Sequence, residues 1–459
     1  MSKFDVVVIG TGFCASNLTS FLARNSLTIQ VIEPSSVQPP IVFTKTAESV
    51  FSEDQANKTS RLGGGSSIWG KAITHPNDKN WFIPKGNGEW ESLYERLSMV
   101  ALPSEMNIPR PKRHGSRFAK KYFPNLKKRF LEEIGLYAGT ELGEENNFAL
   151  PQIDKNILML ATVKDLKANA DHFLVTVCGA DGLISKIQSR YLVLACGTFL
   201  NACYFSLING QKDFPLSNHF AADFGRIELT KPITVKDCVQ TYASGENAFS
   251  TFASLRSKTN SNWEPNSSIR LQATPLAIGR RAMVSALLKL EILYLFNRVI
   301  PFLYSVLKGS RLVESLRIRV IADQNISEKN GMRIVLFHNG VFHVEITLTI
   351  ENCVRADAHR AVSEFIEIVK TSRIVSSVDL FNEEKVFWDD PAHYFGTTPI
   401  GLRKYESSLT SDSESRLHPG LYIIGNSSIP VGSHGHPTLI SMQLSMIAAM
   451  SILKGAKGE

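Results

Sequence analysis

The stretch that decides the fold stands near the start of the chain: "KFDVVVIGTGFCASNLTSFLARN", residues 3–25. The run Val6, Val7, Val8 and Ile9 reads as a buried strand. Two spaced glycines, Gly10 and Gly12, follow it, and then apolar residues at helical spacing. A second strand, "LTIQVIEP" (residues 27–34), ends at Glu33. Strand, glycine turn, helix and strand in this order open a dinucleotide-binding α/β unit. Gly10 permits the tight turn, Gly12 lets the backbone approach a pyrophosphate, and small Ala15 lets helix and strand pack closely. The helix N-terminus offers N–H groups and the positive end of its dipole to the phosphates. Glu33, about 20 residues further on, is placed to accept a bond from a ribose hydroxyl.

Working outward, the chain has 459 residues, 43% of them hydrophobic and 20% charged. This is ordinary globular composition, and the length suits two or three domains or one large domain with an insertion. Net charge is +7. Such a mild basic excess fits an anionic ligand or a membrane surface and gives no reason to expect nucleic acid. Six scattered cysteines lack CxxC or zinc-like spacing, and most sit in apolar runs. They read as reduced thiols of an intracellular protein. The N-terminal strand leaves no room for a signal peptide, which points to a cytoplasmic protein. Residues 283–307 are strongly apolar but interrupted by Lys289, Glu291, Arg298 and Pro301. That excludes a spanning helix and leaves a buried helical pair, or a peripheral membrane or partner contact. Between residues 110 and 129 lie nine Lys or Arg and no acid. The run reads as a solvated face or as a clamp for phosphate or anionic lipid.

Residues 34–61 read as loop, and helical pieces are expected around 90–99 and 118–136. Residues 157–195 read as an antiparallel excursion that returns through a buried strand to Gly197. Alternating strands then flank the apolar stretch and a charged helix, "DAHRAVSEFIEIVK" (residues 357–370). A sheet with helices over one face is expected there. The late strand "GLYIIGNSSIP" (420–430) leads to "VGSHGHPTLISM" (431–442), two histidines just before a C-terminal helix. An N-terminal glycine motif with such a late return strand favours FAD over NAD. Val163 would then lie beside adenine and Gly197 beside the nucleotide, with Gly425 and Asn426 returning to the pyrophosphate and flavin. The His-x-His run lacks companion ligands at recognisable spacing, so no metal is expected.

Together, "RLGGGSSIWG" (61–70), "AHYFGTTPIG" (392–401), "YIIGNSSIP" (422–430) and "GHPTLISM" (435–442) resemble the glucose–methanol–choline (GMC) oxidoreductases. The loop around Trp69 looks most like the pyranose-oxidase branch. "ADQN" with "MRIVL" (322–336) resembles the entry to that family's substrate domain, and "SNHFAADFG" (217–225), with His219, more faintly its "DH" element. The motifs reach from one end of the chain to the other in the family's order. The resemblance implies an α/β fold: a Rossmann-like FAD-binding domain of GMC/PHBH type with a second α+β substrate domain built on an antiparallel sheet. The expected division is 1–222 with 386–459, and 223–385.

The resemblance further implies hydride transfer from an alcohol carbon to flavin. His393, in "HYFGT", is the preferred base and His436, in "HPT", holds the substrate oxygen, with exchange of these roles left open. Imidazole suits the task because its ordinary pKa, about 6.5, is near working pH. Gly64, Gly65, Ser66 and Ser67 would line the N5 side of the flavin, with Trp69 and His434 as substrate contacts. Pro437, Thr438 and Leu439 would bring a helix N-terminus to the N1/C2=O edge, where negative charge accumulates on reduction. Some members of the pyranose-oxidase branch carry a flavin-linked histidine before the tryptophan. This chain has Ile68 there, so FAD is expected to be non-covalent. The expected substrate is a small-molecule alcohol, a sugar or polyol, phosphate- or lipid-linked if the basic run and apolar helices take part. The electron acceptor is unassigned. The alternatives are a sterol or other hydrophobic-alcohol oxidoreductase, and a flavin-binding partner that does no chemistry.

Overall fold

The Val/Ile run that opens the chain forms β1 (Ser2–Ile9), whose last four residues are fully buried. Burial of each such side chain stabilises by roughly 1.5–3 kcal/mol. The computed structural model describes residues 2–34, 40–58, 72–73, 88–97, 100, 125, 130–133, 136–137, 153–235, 239–240, 250–257, 267–273, 299, 311–431 and 437–458. β1 lies between β2 (Ile29–Glu33) and β9 (Ile184–Leu194), parallel to both, with Val8 opposite Val31 and Val193. β20 (Leu421–Ile423) adds to the other side of β9, again in parallel. Near-continuous Val, Ile and Leu is what a parallel sheet buried on both faces requires. Helix α1 (Phe13–Arg24) makes the crossover from β1 to β2. The expected antiparallel excursion is the meander β7 (Leu158–Ala168), β8 (Phe173–Gly179) and β9, and its start is tied back to β2.

A second, antiparallel sheet runs β12 (Val239–Gln240), β13 (Ser250–Ser257), β14 (Ser267–Ala273), β15 (Arg311–Asp323), β11 (His219–Val235) and β18 (Val375–Leu380). On β15, Leu316, Ile318, Val320 and Ala322 alternate with Arg317 and Arg319. The apolar set is buried, and α5 (Asn352–Val369) packs over β14 and β15 with Ala358, Ala361, Val362 and Phe365 buried. This is the sheet with a helix over one face that the alternation calls for. Short β19 (Trp388–Asp389) pairs with β11 and brings the chain back towards the parallel sheet.

Two segments differ from the sequence expectation. Residues 34–61 were expected as loop, but they hold β3 (Ile41–Lys45) and α2 (Glu53–Lys58). β3 is a strand because β17 (Val341–Thr347) lies beside it in parallel, in a four-stranded sheet completed by β16 (Gly331–His338) and β10 (Asp213–Pro215). The helical piece expected over 118–136 is, where described, extended. β5 (Phe130–Glu133) pairs with β13, and β6 (Leu136–Tyr137) pairs with β4 (Ala72–Ile73). In both cases a distant partner overrides local preference. Helix α3 (Gly88–Leu97) forms where expected. Residue 223 lies within β11, and β3 and β10 pair with strands from the 223–385 range. Among the described residues no helix is long and apolar enough to cross a membrane. Apart from Asn125 and Val299, the basic run and the apolar stretch 283–307 lie outside the described residues.

Candidate active site

The turn after β1 has the geometry its glycines suggest. Gly10 takes a left-handed φ of 109°, and a Cβ there would stand 2.5 Å from the carbonyl oxygen of Ala195. No other residue type fits without moving the end of β9. Gly12 is the N-cap of α1, with no side-chain cap and no acid in the first turn, so the dipole keeps its positive character there. Ala15 is fully buried against the sheet. Glu33, 4% exposed at the end of β2, accepts a bond from the Thr11 hydroxyl. A glycine cradle, an uncapped helix N-terminus and a buried carboxylate acceptor at the ends of parallel strands fit the adenosine and pyrophosphate parts of FAD. Val163 is fully buried opposite Val177, which leaves its main chain as the part a ligand could meet.

A second helix N-terminus reaches the same place. The C-terminal helix α6 (Thr438–Lys457) has Pro437 as N-cap, and no acid lies in its first turn. It packs along α1: Asn17 Nδ2 donates to the Met442 carbonyl at 3.0 Å and Ser445 Oγ at 3.1 Å, and Cys14 Sγ approaches the Ser441 carbonyl at 3.3 Å. Gly425, at φ 108°, ends the return strand beside Cys14. The Asn426 side chain accepts from Ser441 Oγ at 2.7 Å. Helix α4 (Gly197–Asn209) starts at left-handed Gly197, and Asn201 on it donates to the Ile424 carbonyl and to Ser427 Oγ. The Gly10, Gly197 and Gly425 turns and two helix starts are thus joined by side-chain hydrogen bonds.

The "HYFGT" loop is laced to this assembly. Gly396, Thr398 and Ile400 donate through their backbone to Asn426, Ser427 and Ser428 at 2.9–3.2 Å. Thr198 donates to the Tyr394 carbonyl and Thr397 to that of Thr198, both at 2.8 Å. His393 is therefore carried to the edge of the expected cofactor cleft. Its Nδ1 is in hydrogen-bond contact with Nε2 of His219, and the two rings meet edge to face with centroids 4.3 Å apart. His219 is 3% exposed and begins β11, where Asp323 of β15 stands opposite it; His393 is half-buried.

The residue just before β11, Asn218, takes His393 N–H on its Oδ1 at 3.1 Å and gives its Nδ2 to Asp390 at 2.7 Å. Burial pushes the Asp390 carboxyl above its ordinary range despite several donors, chiefly the Tyr394 hydroxyl, that pull the other way. Tyr394 is pushed up by burial and then by the Asp390 charge. Burial raises Cys14 to about 12, and it raises Cys196 well above its usual value with help from the Glu33 charge. Neither cysteine is a ready thiolate. Further along the same face of β11 and β15, Arg319 pairs with Asp389 at 2.6 Å and Asp223 at 3.4 Å, and Arg317 pairs with Asp223. Two acids match these two guanidiniums, so the quartet carries no net charge.

Of the residues expected at the site, Gly10, Gly12, Ala15, Glu33, Gly197, Gly425, Asn426, Pro437 and His393 are brought together or linked through hydrogen-bonded neighbours. Thr438 and Leu439 form the first turn of α6. Gly64, Gly65, Ser66, Ser67, Trp69, His434 and His436 lie outside the described residues, as does Ile68. Sequence reasoning missed His219 as the partner of His393, and it missed Asn218, Asp390 and Tyr394 entirely. One signal was available: "SNH" opens an otherwise apolar strand, "FAA", so consecutive polar residues had to be buried and partnered.

No family model matches the chain, and no curated protein matches it in sequence. Among solved structures it is similar to the crystal structure of pyridoxine 4-oxidase from Mesorbium loti, with a TM-score of 0.59 at 12% identity, over 98% of this chain and 99% of that one. At this identity the likeness speaks to the fold, and it extends from end to end. The α/β fold expected from sequence, with a sheet parallel at its centre and a second, antiparallel sheet, is the fold of this chain.

Proposed function

We propose that the chain is an FAD-dependent oxidoreductase acting on CH–OH groups, with His393 as the base. The observation that carries this reading is the contact of His393 with buried His219, on a loop hydrogen-bonded to the segment after Gly425, which is tied in turn to the first turns of α1 and α6. A plain dinucleotide-binding module has no need of an imidazole pair there. Two rings bonded nitrogen to nitrogen hold one proton between them. With Nδ1 engaged by His219, Nε2 is the atom through which His393 takes a hydroxyl proton. The buried partner fixes the ring orientation, and the bound FAD would accept the hydride. The Gly10–Gly12 turn and the α1 N-terminus would hold the pyrophosphate, and Glu33 the ribose. The α6 N-terminus would favour negative charge at the flavin.

His436 is the proposed second contact to the substrate oxygen, and Gly64 to Ser67 the small residues on the reacting side. FAD is proposed to be non-covalent because Ile68 replaces a linking side chain. A sugar or polyol is the proposed substrate class. The Arg317–Arg319 face, neutralised by Asp223 and Asp389, offers no extra support for a phosphorylated one. The test is anaerobic mixing of the FAD-loaded protein with D-glucose, glycerol, benzyl alcohol, pyridoxine and a detergent-dispersed sterol, followed by flavin absorbance. Bleaching by at least one alcohol, lost in His393→Ala with FAD content unchanged, supports the reading. A protein that binds no FAD, or a His393→Ala variant that is reduced as fast as wild type, refutes it. Bleaching by the sterol alone selects the hydrophobic-alcohol alternative.

A further inference from the structure

We infer that Asp390 is a positioning residue whose carboxylate holds the backbone bulge that aims His393; the inference rests on His393 being the base. Between Ser217, just before β11, and Ala221 on it the chain advances four residues, while the segment bonded to it advances six, from Asp389 to Phe395. The excess of two residues is taken up in a bulge that contains Pro391, Ala392 and His393. Bulges recur beside active sites because they re-aim a side chain that a regular ladder would point elsewhere. This one has an uncommon feature. Ala392, immediately before the histidine, sits at φ 60°, a left-handed conformation disfavoured for a residue with a Cβ. Such backbone persists only where surrounding contacts over-determine it.

Those contacts converge on one group. Asp390 Oδ1 accepts from Ala392 N at 2.8 Å and from Asn218 Nδ2 at 2.7 Å. Its Oδ2 accepts from Ser52 N at 2.9 Å and from the Tyr394 hydroxyl. Asn218, fixed by that bond, takes His393 N on its other atom. The peptide N–H groups on both sides of the Ala392 Cα are therefore held, one by the carboxylate and one through Asn218. Tyr394 clamps the far end of the bulge. Its ring lies 4.7 Å from that of Phe199 and 5.4 Å from that of Phe51, in the core. An ionised carboxylate is acceptor-only, with room for four donors. Asparagine would turn an NH₂ group towards one pair of them. Only its backbone links to the His393 ring pass through Ala392 and Asn218, so Asp390 acts at one remove.

The test compares wild type, Asp390→Asn, Ala392→Gly and the double variant, all FAD-loaded. Glycine occupies the left-handed region without penalty, so it removes the need for the bonds that hold Ala392. For every alcohol that reduces wild type, Asp390→Asn is expected to lower the reduction rate about 10- to 100-fold, as a misplaced reacting group does, with little change in KM. Adding Ala392→Gly is expected to restore most of that rate. The readout that needs no substrate is the ring spectrum of histidine-labelled protein, with His393 and His219 signals assigned by substitution. Both are expected to shift in Asp390→Asn and to return in the double variant. Wild type inert to every alcohol would defeat the functional reading while leaving the ring test to decide this one. Unchanged ring signals in Asp390→Asn, or a loss that Ala392→Gly does not repair, would overturn the inference. Should Asp390→Asn fail to fold, Asn218→Ala, which removes the bond to His393 N together with one of the four donors to Asp390, carries the same test with the same outcomes.

Discussion

Of the turns that put the chain into left-handed backbone beside the proposed reaction centre, two do so by opposite means. At the end of β1, Gly10 reaches φ 109° because it has no Cβ, and the space where one would go is filled by the Ala195 carbonyl. In the bulge before His393, Ala392 reaches φ 60° with its Cβ in place, held by Asp390 and Asn218. The first conformation is encoded by a residue type. The second is encoded by hydrogen bonds to Asp390, two residues back, and to Asn218, far off in the chain. A glycine turn tolerates changes around it but not at it, whereas the bulge should tolerate change at Ala392 and fail when its surroundings change.

Gly10→Ala should have the largest effect. The added Cβ meets a main-chain oxygen, so the protein is expected to purify without flavin, with a melting temperature lowered by an amount equivalent to at least about 2–3 kcal/mol. A yellow, fully stable Gly10→Ala protein would break the comparison at its first term. His393→Ala should retain FAD and stability but lose about 10²–10⁴-fold in the rate of flavin reduction, the usual contribution of a positioned base. Stopped-flow absorbance measures this. Glu33→Gln should retain the turn and weaken FAD by about tenfold, the loss of one charge-assisted bond, as read by titration of the apoprotein.

Ala392→Gly alone should change stability by less than about 1 kcal/mol, since relief of left-handed strain offsets the extra freedom of the unfolded chain. A large loss on calorimetry would show that the bulge, like the β1 turn, depends on its own residue. The smallest effect concerns pH. The Asp390 carboxyl is raised in the folded state, so the folded protein holds this proton more tightly than the unfolded chain. Its contribution is fully present below the ordinary carboxylate pKa and is lost as pH rises through the raised value. The stability difference between wild type and Asp390→Asn should therefore move against wild type from acid to neutral pH. A difference that moves the other way would contradict the assigned direction.

The same contrast runs through what could be read in advance. Gly10, Gly12, Ala15 and Glu33 were legible because each performs its task by being that residue type at that spacing, within one strand–helix–strand unit. His393 and its loop were legible through resemblance. β3 was not, because five residues become a strand only when β17 arrives beside them. Nor was β5, which pairs with a strand more than a hundred residues away. His219 could be quoted as part of a faint motif, yet nothing in "SNHFAADFG" says which imidazole it meets.

By itself, the sequence determined the parallel sheet and the glycine cradle, because hydrophobic periodicity and glycine chemistry are local properties; His393 came from resemblance. Only the tertiary structure brought buried His219 to His393 and put Asp390 and Asn218 on the backbone on which that histidine stands. Hydrogen bonds among buried polar groups depend on angles and distances between segments far apart in the chain, and those exist only once the two sheets are in place.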